Sequence, residues 1–274
     1  MSQVVLNAQE KDPGIDVWDV ARAAAVLLDA EAARVDRGPI TAEWAGLDLD
    51  TAYQVQDEIL CRKVESGQHI VGVKLGLTSR AKQQRMGVDS PSTAWLTDRM
   101  VLPAGAPLVI KQLIHPRVEP EIVFVLGERL AGPGITAARA MEAVSHVYGG
   151  LEIIDSRYTD FKFTLPDVVA DNASSALFVI GGVARKPDEI DLALEACLLA
   201  VDGEVVDSAT GAAVQGHPGE ALALAANALA KRQLALEPGW VVLTGGMTDA
   251  VFVEPGTSVS ADFSNLGSVM LRCQ

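Results

Sequence analysis

Cysteine is scarce in this chain: Cys61, Cys197 and Cys273 are odd in number and share no CxxC spacing. Neither a disulfide framework nor a thiolate zinc site is expected, and a reducing, cytoplasmic setting is. Basic residues are also few, with Lys+Arg 22 against Asp+Glu 36 and a formal net charge of −14. Nucleic-acid backbones need a basic face, so nucleic acid is not an expected partner. The longest largely apolar run, Ala221 to Ala230, falls well short of the roughly 18 residues of a membrane span. The first twenty residues carry Glu10, Lys11, Asp12, Asp16 and Asp19 in place of a signal-peptide core. No repeat of solenoid period occurs, nor GxGxxG, GxxxxGK[ST] or GxSxG, which disfavours solenoids, nucleotide-cofactor folds and serine hydrolases. What is present, 49% hydrophobic and 21% charged residues, is ordinary globular usage.

The first third reads as helical. Asp16 to Arg37 is Ala-rich, with Val17, Val20, Ala24 and Leu27–Leu28 spaced for one buried face. Asp50 is placed to cap a second helix, which Gly67 would end. From residue 69 the texture changes to short apolar runs. Strands are expected at 70–77, 118–126, 151–155, 175–180, 197–201, 204–207, 240–244, 251–253, 258–263 and 268–272. Helices are expected at Ser79–Met86, Thr136–Val147 and Glu220–Gln233, the last starting at Pro218. Asp202-Gly203 marks a hairpin. The expected fold is α+β, a helical portion over 1–68 followed by a β-rich catalytic core over 69–274, built on a folded or barrel-like antiparallel sheet.

Val118-Glu119-Pro120-Glu121-Ile122 sets two carboxylates on one face of a strand. Like charges there need water or a cation, and Pro120 points to an edge or a bulge. Taken alone, this pair reads more readily as a solvated edge face. A third acid, Glu152, sits inside the apolar run Gly149 to Ile154, where an unpaired carboxylate is costly. Three glutamates would form a hard-oxygen site suited to Mg²⁺ or Mn²⁺. Lys74 lies between Gly72 and Gly76 on one strand face; it reads either as a ligand-facing ammonium or as an edge-strand lysine. Arg157 and Lys162, in the run Asp155 to Phe163, offer cations to a carboxylate or form surface salt bridges. Asp171-Asn172-Ala173-Ser174-Ser175 is either a functional loop or a turn. Thr244-Gly245-Gly246 offers backbone N–H groups to an anion or makes a plain turn. His115 stands four residues before Glu119 as a substrate contact or a structural histidine.

Four segments occur together and in order: Val73-Lys74-Leu75-Gly76-Leu77-Thr78-Ser79, His115-Pro116-Arg117-Val118-Glu119-Pro120-Glu121, the Glu152 strand with Asp155-Ser156-Arg157, and Val169-Ala170-Asp171-Asn172-Ala173-Ser174-Ser175. With these the chain resembles the hydratase/decarboxylase branch of the fumarylacetoacetate hydrolase superfamily, from about residue 15 onward. The resemblance implies a mixed β-sheet/β-roll core and a Mg²⁺ or Mn²⁺ ion on Glu119, Glu121 and Glu152. It implies Lys74, Ser174 and Lys162 as catalytic groups, with Leu75, Gly76, His115, Arg157 and Asn172 in contact with substrate. Two activities share the pattern, decarboxylation of 2-oxohex-3-enedioate and hydration of 2-oxopent-4-enoate; a catalytically silent partner subunit is the non-enzymatic alternative. Tyr158 and Phe161 resemble the decarboxylase version, and Ser92 stands where hydratases tend to carry an aspartate. The resemblance further implies a homo-oligomer, a complex with the pathway hydratase, and a place in meta-cleavage degradation of aromatic compounds.

Overall fold

The structure, a computed structural model, describes residues 18–79, 83–84 and 91–274. Two helices lead. Helix α1, Val20–Ala33, begins where the Asp19 carboxylate accepts from the Arg22 N–H at 2.8 Å, and it buries Ala23, Ala24, Leu27 and Ala30 along one stripe. Helix α2, Leu49–Glu65, is capped by Asp48, which accepts from the Thr51 N–H at 2.8 Å. Asp50, expected as the cap, lies in the first turn instead, where a carboxylate still favours the positive end of the helix dipole. The inner faces of α1 and α2 close over Tyr158, Val169 and Ala170 in a core of their own.

The strands form two sheets. The larger comprises β1 (Ile70–Gly76), β2 (Ser92–Thr97), β3 (Arg117–Leu126), β4 (Val144–Ile154), β5 (Ser175–Ile180), β8 (Val241–Gly246) and β9 (Val251–Phe252). Its order is β2-β1-β8-β3-β4-β5, with β9 also on β3. The smaller has the order β11-β10-β6-β7 and contains β6 (Ala196–Val201), β7 (Glu204–Thr210), β10 (Ser258–Phe263) and β11 (Gly267–Arg272). Pairing between the strands is antiparallel except between β1 and β8, so the sheet is mixed, as the family resemblance implies, where the strand pattern alone suggested an antiparallel one. Phe124, Leu151, Cys197, Val259 and Leu271 belong to one core shared by the two sheets. The short helices α3 (Ala137–Glu142) and α4 (Leu165–Ala170) and the longer α5 (Pro218–Lys231) complete the structure. Helix α5 starts at Pro218, as its sequence indicates, with the His217 ring accepting from the Gly219 N–H.

Two elements differ from expectation. The helix expected over Thr136–Val147 stops at Glu142, and from Val144 the chain is strand. There Val144, Val147 and Tyr148 pair with the β3 ladder, and tertiary pairing outweighs the helical tendency of the Ala-rich turn before it. Strand β2 had no sequence signal, because all six of its residues are buried and the alternation that marks a half-exposed strand is missing. The helix expected at Ser79–Met86 falls largely outside the described residues. The Asp202-Gly203 hairpin is present, with both residues at positive φ (51° and 86°) joining β6 to β7.

Candidate metal centre and cleft

Strand β3 aims Arg117, Glu119 and Glu121 to one side, and the antiparallel register of β4 sets Glu152 directly opposite Glu119. Oxygens of Glu119, Glu121 and Glu152 lie within 4.8 Å of one another. Glu121 and Glu152 are fully buried. Pro120 lies in the middle of the sheet, not at an edge; the bulge reading is the one that holds. The β3–β8 register breaks between Glu121 and Val123, and the Pro120 carbonyl accepts from the Met247 N–H at 2.9 Å. Gly246 leaves space for the Glu119 carboxylate: a Cβ there would stand 2.2 Å from Glu119 Oε2 and displace it.

Glu121 Oε2 accepts from the Gly245 N–H at 2.7 Å, while its Oε1 is buried without a partner among the described residues. Burial and the neighbouring charges of Glu152 and Glu119 push the Glu121 carboxyl well above the usual carboxylate range. Glu152 accepts from Ser175 Oγ at 3.2 Å and from Lys74 Nζ at 3.0 Å. Burial alone would depress Lys74, but Glu152, Glu119 and Glu121 together hold its ammonium above the ordinary lysine value. Lys74 is therefore an interior cation on β1, between β2 and β8, and not an edge lysine.

A cleft of about 480 Å³ opens onto this group. Its lining includes the polar groups of Lys74, Glu119, Ser92, Ser174 and Arg117 and the apolar side chains of Phe161, Phe163, Val168 and Ile154. At Gly76 a Cβ would lie 2.6 Å from Ser92 Oγ, so a larger residue there would turn that hydroxyl away. Ser174 ends a run of three left-handed residues, Asn172, Ala173 and Ser174 (φ 49°, 51° and 57°). Such backbone persists only when its surroundings hold it. Here Arg157, buried at 4% exposure, does so: it ion-pairs with Asp171 and donates to the Asp155 carbonyl at 2.6 Å. Asp155 in turn accepts from the Ile114 and His115 N–H groups, each at 2.8 Å. Burial pushes the Asp171 carboxyl up to about 6 against the pull of Arg157.

Lys74, Gly76, Ser174 and the three glutamates are thus brought together. Other sequence-derived candidates are not. Arg157 spends its donors on Asp171 and on backbone carbonyls. Asn172 exchanges two bonds with the Trp95 backbone, at 2.8 and 2.9 Å, which ties the loop to β2. Leu75 points into the core between the sheets. His115 bonds the Ser156 carbonyl at 2.8 Å and packs on Phe161 at 4.9 Å, so it touches the cleft only through that ring. Lys162 is 79% exposed and pairs with Asp160 at 2.9 Å. Sequence reasoning overlooked Arg117 and Phe163, which line the cleft, and left Gly245 between an anion contact and a turn. The two-residue period through 117, 119 and 121 was the available signal for Arg117.

Three buried carboxylates, one with an oxygen lacking any partner, form a hard-oxygen set that fits a divalent cation of the Mg²⁺ type. The fumarylacetoacetate (FAA) hydrolase C-terminal family model matches residues 58–273. The chain belongs to the fumarylacetoacetate hydrolase family. Within it, the chain is 41% identical over 246 residues to a 4-oxalocrotonate decarboxylase of Pseudomonas putida, covering 90% of this chain and 93% of that protein. It is 35% identical to a 2-hydroxyhexa-2,4-dienoate hydratase of Comamonas testosteroni, covering 85% and 89%. The solved structure of 4-oxalocrotonate decarboxylase from Pseudomonas putida G7, complexed with magnesium and adipate, superposes with a TM-score of 0.91 at 40% identity, covering 93% of this chain and 97% of that one.

Proposed function

We propose that the protein is a Mg²⁺- or Mn²⁺-dependent carboxy-lyase that converts 2-oxohex-3-enedioate (4-oxalocrotonate) to 2-hydroxypenta-2,4-dienoate and CO₂. The observation that carries this reading is what the cleft brings together: Lys74 and Glu119, the latter one of three clustered carboxylates, share its lining with Phe161, Phe163 and Val168. Glu119, Glu121 and Glu152 would hold the cation, which when bound supplies Lewis acidity to the carboxylate and carbonyl oxygens of a 2-oxo acid.

The reaction breaks the C5–C6 bond of the substrate. CO₂ leaves, and the electron pair moves through the C3–C4 double bond toward the C2 oxygen, where negative charge grows. Lys74, held charged by its carboxylate neighbours, offsets that charge as it develops. Three carboxylates outnumber the charge of one divalent ion, so without Lys74 the pocket would repel an anionic substrate. Ser174 brings a hydroxyl to the cleft wall, with Oγ 3.4 Å from Asp171 Oδ2, as a group to hold or pass the proton that the C2 oxygen takes up. The apolar wall of Phe161, Phe163 and Val168 suits departure of an uncharged molecule. Hydration of the dienoate is the second reading, favoured by the similarity to the Comamonas hydratase; Ser92 counts against it, because a hydroxyl is a poorer proton shuttle than a carboxylate.

We place the reaction in the meta-cleavage degradation of aromatic compounds, in the cytoplasm, and carried out by an oligomer associated with the pathway hydratase. No helix among the described residues is long and apolar enough to cross a membrane. The deciding experiment supplies purified protein and Mg²⁺ with 2-oxohex-3-enedioate while CO₂ and the ultraviolet spectrum are followed, beside a sample given 2-hydroxypenta-2,4-dienoate. Metal-dependent CO₂ release with an inert second sample is expected. Consumption of the dienoate without CO₂ release from the first sample selects the hydratase.

A further inference from the structure

Arg117 stands at the outer end of the inward row on β3, two residues before Glu119. Successive members of such a row are about 7 Å apart. Arg117 lines the same cleft as Lys74, Glu119 and Ser174. Its guanidinium carbon lies 4.1 Å from the ring centroid of Phe161 and 3.9 Å from that of Phe252. Nε is buried and has no hydrogen-bond partner, and among the described residues Arg117 forms no ion pair. An arginine in contact with two rings yet without an acceptor is unusual, because a buried donor left unmade is costly.

We propose that Arg117 is the recognition residue for the distal carboxylate of a six-carbon 2-oxo dicarboxylic acid. This rests on the reading above, in which the glutamate end of the cleft takes the 2-oxo acid head. One two-residue step along β3 spans the reach of a six-carbon chain, so the far carboxylate meets the next inward side chain, which is Arg117. The two rings stand at 88° to one another around the guanidinium carbon, and neither offers an acceptor, so the N–H fork that matches a carboxylate is left for a ligand. An exposed lysine would offer charge without this fixed geometry. Because the carboxylate it grips loses its charge as CO₂ forms, Arg117 stabilises the bound substrate more than the transition state. Its effect falls mainly on KM and less on kcat.

The test compares two ligands that differ only at the far end, 2-oxohexanedioate and 2-oxohexanoate, binding to the full-length Mg²⁺-loaded protein by calorimetry. Wild type is expected to bind the dicarboxylate about 10-fold or more tighter, the worth of a charge-assisted hydrogen bond. Arg117→Met removes that preference, and Arg117→Lys restores part of it. Phe252→Leu, at a ring 61% exposed and so safe for folding, weakens dicarboxylate binding selectively. Equal affinity of wild type for both acids, or an undiminished preference in Arg117→Met, overturns the role of Arg117 while leaving the glutamate site intact. Failure of wild type to bind either acid overturns the reading of the head site, and this proposal with it.

Discussion

Glu121 bears the heaviest electrostatic load of any residue in the centre. It is fully buried, stands beside two other carboxylates, and receives one backbone N–H in return. A neutral replacement separates its two roles. Glu121→Gln is expected to lower turnover by at least about 100-fold, as removal of a ligand does, with loss of Mg²⁺ binding in calorimetry. In metal-free buffer the same variant should melt at a higher temperature than wild type, because it relieves a desolvated like-charge cluster. Unchanged turnover and metal affinity would sink the ligand assignment. Lys74 shows the opposite balance: its neighbours more than repay its burial, so it remains a cation and acts by charge.

At the scale of elements, the site depends on two pieces of backbone. The bulged end of β8 admits Glu119 only because position 246 lacks a side chain. Gly246→Ala should therefore cost about 10-fold or more in turnover while leaving the fold intact by circular dichroism, since misplacement by about 1 Å is enough for a loss of that order or larger. The left-handed run 172–174 is the second piece, pinned by Arg157 on Asp171. Asp171 titrates at about 6 in the folded chain against an ordinary value of 3.8. A raised folded pKa means that its contribution to stability is fully present below the unfolded value and is lost as pH rises through the folded one. Wild type should thus lose stability relative to Asp171→Asn between pH about 4 and about 6, measured by urea unfolding at each pH. A difference that is flat over that window would contradict the burial assigned to Asp171.

For the molecule as a whole, the helical layer and the two sheets make separate cores, and the glutamates belong to the larger sheet. A cation that binds only the folded chain stabilises it by mass action, about 2.7 kcal/mol at 100 times Kd. For a chain of this size that shift is roughly 5 to 10 °C in Tm. Mg²⁺ should raise Tm by that order in wild type and leave Glu121→Gln unmoved, as read by differential scanning fluorimetry. Equal shifts in both proteins would mean that the ion binds elsewhere.

The sequence by itself determined whatever depends on neighbours along the chain. Two-residue periodicity put Glu119 and Glu121 on one face, Asp202-Gly203 set the hairpin, and Pro218 marked the start of α5. These are legible because strand pleat, turn sterics and missing N–H groups act over a few residues. Only the tertiary structure decided which polar groups meet. Glu152 faces Glu119 through a register between strands whose partners lie 33 residues apart in the chain. Lys74 arrives through the parallel pairing of β1 with β8. The same long-range packing turned Arg157 from a ligand candidate into a pin on Asp171, left Lys162 in solvent, and closed Asn172 onto Trp95. A buried cation goes to the nearest buried anion, and nearness across a sheet is a property of its pairing that no local pattern records.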